Sequence, residues 1–207
     1  MPSDQDPIRD QLIEARRNQI LDAAAGVFAE KGFHRTTTKE IASAAGVSEG
    51  TIYNYFANKV DLLIGMITRL ADVQQLPEDL AATLHSDPQE FLLMIARDRM
   101  QRIQQHHQVL QAVLPEILID PGLRERFYQH FVRPIAVVLE QYVQARMELG
   151  DIRVINAPLT VRAIQSMFAG LMILRIVGDE ALLSGWEDMP EVLVRLIFDG
   201  LRPRDGA

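Results

Sequence analysis

The sequence predicts an all-α protein. Apolar residues recur at helical spacing along most of the chain, and no segment sustains the alternation of a half-buried strand. No Asn-Gly dipeptide occurs, and Asp-Gly occurs only at 199–200 and 205–206, near the C-terminus and not between two strand-like runs. Helix starts and stops punctuate the chain instead: capping threonines, serines and asparagines, Asp87-Pro88, Asp120-Pro121 and Ala157-Pro158, and glycines at 32, 46, 150 and 178.

The first helix is expected from Asp6 as N-cap and Pro7 as first residue. Its apolar stripe is Leu12, Ile20, Ala23, Ala24, Val27 and Phe28. Gly32 ends it, with Phe33 placed for the accompanying hydrophobic contact. Thr37 to Glu40 fits a capping box that opens a second helix, with Ile41, Ala42 and Ala45 as its buried side. Gly46 supplies a sharp turn. Ser48 caps a third helix, Glu49 to Tyr55, which Ile52 and Phe56 anchor inward. Asn58 caps a fourth, leading to Leu62, Leu63, Met66, Ile67 and Leu70.

The pattern breaks around Gln75–Pro77. Further helices are expected at 88–107, 109–119, 121–149, 158–177 and 189–201. The segment 163–177 is the most apolar. Gln165, Ser166 and Arg175 interrupt it, so it reads as a buried helix; a membrane span needs about 20 nearly unbroken apolar residues.

Three short helices with a glycine turn before the third describe a helix-turn-helix. Such a motif needs small residues where the second helix meets the third (Ala42, Ala44, Ala45) and short or planar polar groups facing outward. Glu49, Gly50, Thr51, Tyr53, Asn54 and Tyr55 meet the second need, so the third helix can enter a major groove about 12 Å wide.

The stretch GFHRTTTKEIASAAGVSEGTIYNYFANKVDLL, residues 32–63, resembles the DNA-binding domain of the TetR family of bacterial repressors. The matching positions are Gly32-Phe33, Thr36-Thr37, Ile41-Ala42, Ala45 to Ser48, Gly50, Tyr53, Tyr55-Phe56, Lys59 and Leu62-Leu63. The resemblance implies a three-helix DNA-binding domain over residues 8–57, with the helix-turn-helix at about 37–56. A linking helix would lead into a larger helical ligand-binding and dimerisation domain, residues 58–207. Thr37, Thr38, Ser48, Tyr53, Tyr55 and Lys59 would contact phosphates, and Glu49, Gly50, Thr51 and Asn54 would read bases. Many relatives carry Lys or Arg where this chain has Glu49. A glutamate accepts from a cytosine amine but cannot pair with guanine O6 and N7.

By the same resemblance the middle helices enclose a small-molecule cavity. Its candidates are Met94, Arg99, Ile103, His106, Phe127, Tyr128, Phe131, Met167, Phe168 and Met172. The same stripe would serve as solid core, and Arg99 would serve as a buried ion-pair partner as well as an anion anchor. The last two helices are expected to pair with a second copy through Ser166, Ala169, Gly170, Leu174, Val177, Val192, Leu193 and Leu196.

Composition limits the alternatives. There are no cysteines, which excludes disulfides and thiolate chemistry. His106 and His107 point to different faces of a helix and no third ligand is suitably spaced, so no metal is expected. No cofactor and no catalytic grouping is expected, so the chain reads as a non-enzyme. The N-terminus shows no signal-like apolar run, and a cytoplasmic protein without membrane association is expected. The net charge is −7, yet residues 1–70 carry 8 basic and 9 acidic residues against 13 and 19 in the remainder. That balance disfavours a sequence-blind nucleic-acid coat. The reading is therefore a homodimeric regulator, a repressor of a palindromic operator released by a small hydrophobic or amphipathic effector. The alternatives are a ligand-independent architectural DNA binder and a helical enzyme with a vestigial helix-turn-helix.

Overall fold

The computed structural model describes residues 7–70 and 87–201, and the described residues hold helices and no strand. In chain order they are α1 (Pro7–Lys31), α2 (Thr38–Ala45), α3 (Glu49–Tyr53), α4 (Lys59–Leu70), α5 (Pro88–Ile119) and α6 (Pro121–Phe127). A π-helical turn, Tyr128–Val132, precedes α7 (Arg133–Leu149), α8 (Ala157–Val177) and α9 (Glu180–Ser184). A 3-10 turn, Trp186–Asp188, leads into α10 (Met189–Leu201). The expected Asp6 cap and the break at Gln75–Pro77 lie outside the described residues.

Local signals set most boundaries. Gly32, Gly46, Gly150 and Gly178 all have positive φ. Asp87, Asp120, Asn156 and Asp179 each accept a backbone N–H from the first turn of the helix they open, at 2.8 to 3.0 Å. Two expected boundaries differ. α5 runs unbroken through residues 107–109, because Val109, Val113 and Ile117 continue one buried stripe at spacing four and no glycine intervenes. The helix expected over 121–149 is divided by the π turn. Pro134 has no N–H to return to the His130 carbonyl, so the ladder widens just ahead of it. α9 and the 3-10 turn were not anticipated, being too short for a periodic pattern to show.

The chain forms two compact units. The first comprises the described residues to Arg69 together with Gln108–Phe127; the second comprises the rest, so α5 contributes to both. α4, expected to open the C-terminal domain, thus belongs with the helix-turn-helix. It approaches α1 closely at Gly65, where a Cβ would stand 3.2 Å from Phe56 and 3.3 Å from Leu21. Ile20, Leu21, Ala24, Phe28, Ile41, Ile52 and Leu62 are fully enclosed in this unit. Leu12, expected in the α1 stripe, is exposed, because the buried face starts only where α2 and α4 cover α1. Ala44 is exposed as well; Ala42 and Ala45 alone face inward.

In the second unit Met100, Leu182, Trp186 and Leu193 form one cluster, with Ile103, Met167, Phe168, Leu171 and Met189 packed on it. Ala136, Val143, Ile152, Ala157 and Val161 form another. Arg146, 3% exposed, ties the end of α7 to Asp151 at 2.7 Å and to the Tyr142 hydroxyl at 3.0 Å. α8 is long and apolar enough to cross a membrane by length and composition alone. It was expected to be buried, but only Ala157 and Val161 are; among the described residues no element covers its outer side.

Gly46 sits at φ 65°, ψ 34° with open space where a Cβ would go. Gly46→Ala therefore meets no clash, only left-handed backbone strain, and should cost about 1–2 kcal/mol in urea unfolding. An unchanged unfolding midpoint would contradict this.

Candidate nucleic-acid interface

The interface is assembled from the turn between α1 and α2 outward. Gly32 closes α1 by donating to the Phe28 carbonyl at 2.8 Å, and Phe33 turns back onto Phe28 with ring centroids 5.6 Å apart. The buried Thr36 hydroxyl donates to the Gly32 carbonyl at 2.8 Å. Lys59, at the start of α4, locks this turn: its ammonium donates to the carbonyls of Phe33 at 2.8 Å, Thr36 at 2.9 Å and His34 at 3.4 Å. It also lies 4.4 Å over the Phe33 ring. Burial lowers the Lys59 pKa. Lys59, expected at a phosphate, is here engaged within the turn. An ammonium has three hydrogens, and these carbonyls take them.

The capping box at Thr37 is complete. Thr37 Oγ1 accepts the Glu40 N–H at 3.2 Å, and Glu40 Oε2 accepts the Thr37 N–H at 2.8 Å. Lys31 donates to the other Glu40 oxygen at 2.8 Å. The Lys31 hydrogen bond, followed by those from Thr37, holds the Glu40 pKa down at about 2.

At the other end of α2, Gly46 and Val47 return their N–H groups to Ser43 and Ala42 in a Schellman turn. Gln19 of α1 donates to the Ala45 carbonyl at 2.7 Å. Ser48 caps α3 through the Thr51 N–H at 3.1 Å, and the two hydroxyls lie 2.8 Å apart. Ile52 and Phe56 are buried, and the Arg17 guanidinium covers the Phe56 ring at 5.4 Å. α3 is shorter than expected. Asn54 is its C-cap and Tyr55 lies beyond it.

What remains outward is a row of small polar groups. Thr37, Ser48, Gly50 and Asn54 are exposed; Thr38, Glu49, Thr51 and Tyr55 are half-buried; Tyr53 is 51% exposed. The structure adds one grouping that sequence reading missed. Thr38 Oγ1 donates to Glu49 Oε1 at 2.5 Å and stands 3.2 Å from the Tyr53 hydroxyl, so α2 and α3 share a polar chain. Eleven and fifteen residues separate these partners in sequence, and no local pattern signals the contacts.

The other candidates are distributed differently. Ile103, Met167 and Phe168 are partly buried and pack against the cluster of Met100, Leu182, Trp186 and Leu193. Arg99 lies 3.2 Å from Asp98. His106 is half-buried, with its pKa lowered by burial and then by Arg102. Phe131 and Met172 are half-buried, Met94 and Tyr128 are exposed, and Phe127 falls in the first unit. None of these lines the groove of about 440 Å³ in the first unit, bordered by Phe33, Lys59, Val60, Leu123 and Arg126. Among the pairing candidates, Leu174, Val177, Val192 and Leu196 are exposed, as are Ser166 and Ala169, and Gly170 is half-buried. Leu193 is corrected: at 3% exposure it faces Trp186, because α10 divides its apolar residues between an inner and an outer side.

Fold and surface together define a helix-turn-helix DNA-binding domain on a helical body. Residues 20–66 match the family described as bacterial regulatory proteins, tetR family, so in its helix-turn-helix unit the chain is similar to that family. It is 39% identical over 77 residues to the HTH-type transcriptional regulator HbdR of Aromatoleum sp. (strain CIB), covering 36% of this chain and 34% of that one. It is 54% identical over 48 residues to the fatty acid metabolism regulator protein of Bacillus subtilis (strain 168), covering 23% and 25%. The chain therefore matches about a third and a quarter of these relatives' lengths. The solved structure of the transcriptional regulator FadR from Bacillus subtilis, in complex with stearoyl-CoA, superposes with a TM-score of 0.68 at 25% identity, covering 86% of this chain and 97% of that one.

The Glu40 carboxylate stabilises the fold while it is ionised, because its folded pKa of about 2 lies below the ordinary 4.5. That contribution is complete above pH 4.5 and fades as pH falls toward 2. The melting-temperature gap between wild type and Glu40→Gln should be widest near pH 7 and close by about pH 2; a constant gap would refute this assignment.

Proposed function

We propose that the chain is a cytoplasmic, homodimeric repressor, not an enzyme, that binds a palindromic operator and leaves it on binding a small amphipathic effector. One observation carries the DNA-facing part of the reading. Gly50, in the middle of α3, is exposed, has ordinary backbone angles, and has only Ser48 Oγ, 3.8 Å away, near the place of a Cβ. Neither packing nor conformation asks for glycine there. A surface that another molecule approaches to backbone distance does.

In this reading Thr37, Thr38, Ser48, Tyr53 and Tyr55 donate to phosphates, while Glu49, Thr51 and Asn54 face base edges. Two copies place their α3 helices one helical turn apart, about 34–36 Å, or a multiple of it. The exposed apolar side of α8 and α10, with Val177 at 71% and Leu196 at 63% exposure, supports pairing through those helices. The effector acts by favouring a dimer whose DNA-binding domains are wrongly spaced, a coupling of about 1–3 kcal/mol. The stearoyl-CoA held by the Bacillus subtilis structure makes fatty-acyl thioesters the first effector class to try. Ile103, Met167 and Phe168, three of the cavity candidates, pack against the cluster around Trp186, which favours the second reading, a ligand-independent architectural binder.

Selection of sheared genomic DNA on the purified protein separates the two. The repressor reading expects a palindrome that Tyr53→Ala loses, and addition of stearoyl-CoA should release it. Fragments without a shared sequence would favour the architectural reading. On the selected site, Thr51→Ala or Asn54→Ala should change the preferred bases, by about 1–3 kcal/mol per position. Preference left untouched by both would refute the readout assignment. With hydroxyls replacing lysines at the phosphates, the salt dependence should be shallow; a log–log slope near about −10 would contradict it.

A further inference from the structure

We propose that Glu49 sets specificity by competing, within the protein, for the hydrogens that Thr38 and Tyr53 would offer to DNA phosphates. The inference rests on the operator-binding reading and adds a mechanism to it.

The hydrogen count gives the argument. A carboxylate only accepts, so the 2.5 Å contact places the Thr38 hydroxyl hydrogen on Glu49. Thr38 has no second hydrogen, so its 3.2 Å contact with Tyr53 must be donated by the phenol. The chain therefore runs in one direction, Tyr53 O–H to Thr38 Oγ1, and Thr38 O–H to Glu49. Both hydrogens point toward the carboxylate. A phosphate oxygen also only accepts and needs these same hydrogens. Glu49 is thus an internal stand-in for a phosphate, and it is the one charged side chain in the stretch 49–54.

Glu49 leaves Thr38 without loss only where another donor takes its place. A cytosine N4 amine, or an adenine N6 amine, in the major groove is such a donor. At a matching base pair Glu49 turns to the base and the two hydroxyls become available to the backbone. At a mismatched one Glu49 keeps them, and its own charge repels the phosphate. A base contact is converted in this way into phosphate contacts that otherwise carry no sequence information.

The test is a mutant cycle on full-length protein, using the selected operator and the same fragment with scrambled half-sites. Glu49→Ala should tighten binding to the scrambled fragment about tenfold, and the operator-to-scrambled ratio should fall accordingly. In a Thr38→Val/Tyr53→Phe background the hydrogens are gone, so Glu49→Ala should gain about threefold or less, the share due to charge alone. Glu49→Gln, which keeps an acceptor but no charge, should fall between, and it carries the test if Glu49→Ala loses helicity. Equal gains in both backgrounds, or no gain in either, overturns the competition. A wild type that prefers no sequence overturns the operator reading and this inference together. A wild type that discriminates while the cycle is additive overturns this inference alone.

Discussion

Five residues of helix have no stability of their own in water, because nucleating the first turn is unfavourable and too few hydrogen bonds follow. The inward grip on Ile52 and Phe56 is therefore the constraint on which the DNA-facing surface depends. Phe56 is held by Arg17 on one side and by the bare Gly65 of α4 on the other. Ile52 is enclosed completely. Because tertiary packing and the Ser48 cap supply the stability, the outward positions of α3 are released from helix propensity. They can be glycine, threonine, tyrosine and asparagine, residues that a self-supporting helix would avoid.

The same unit explains a DNA-binding domain with no excess of positive charge. Several of its cations are engaged internally. Lys31 holds the α2 cap, Lys59 closes the preceding turn, Arg69 pairs with Asp22 and Arg126 with Asp61. Each joins segments distant in sequence, so these charges orient α2 and α3 more than they advertise the surface. The outward chemistry falls to hydroxyls and phenols, which donate without long-range attraction. In the Thr38, Glu49 and Tyr53 chain, that chemistry is under the control of one carboxylate.

The second unit has the opposite balance. Its apolar residues exceed what its own interior encloses, and α8 and α10 divide them between two sides. Trp186 and Leu193 close one side with Met100 and Leu182, while Leu174, Val177, Val192 and Leu196 remain outside. The buried Arg146 works against this apolar background: Tyr142 and Asp151 satisfy its donors and end α7 at Gly150.

What could be read from the sequence was local. The capping box at Thr37, the Gly46 turn, the Ser48 and Asn58 caps and the inward Ile52 and Phe56 each depend on groups within a few residues, so spacing alone identifies them. The helical class and the motif residues followed from such signals. The rest depended on where distant segments meet. Lys59 is a phosphate donor by position but a turn lock once Phe33 and Thr36 arrive beside it. Leu193 and Leu196 are equivalent on a helical stripe until Trp186 covers one of them. Glu49 is a plain outward acid until Thr38, eleven residues away, places its hydrogen there. The sequence by itself determined the helices and how each begins and ends, through short-range hydrogen bonding. Only the tertiary structure decided which polar hydrogens and apolar faces are already occupied, because occupancy belongs to pairs that chain spacing does not encode.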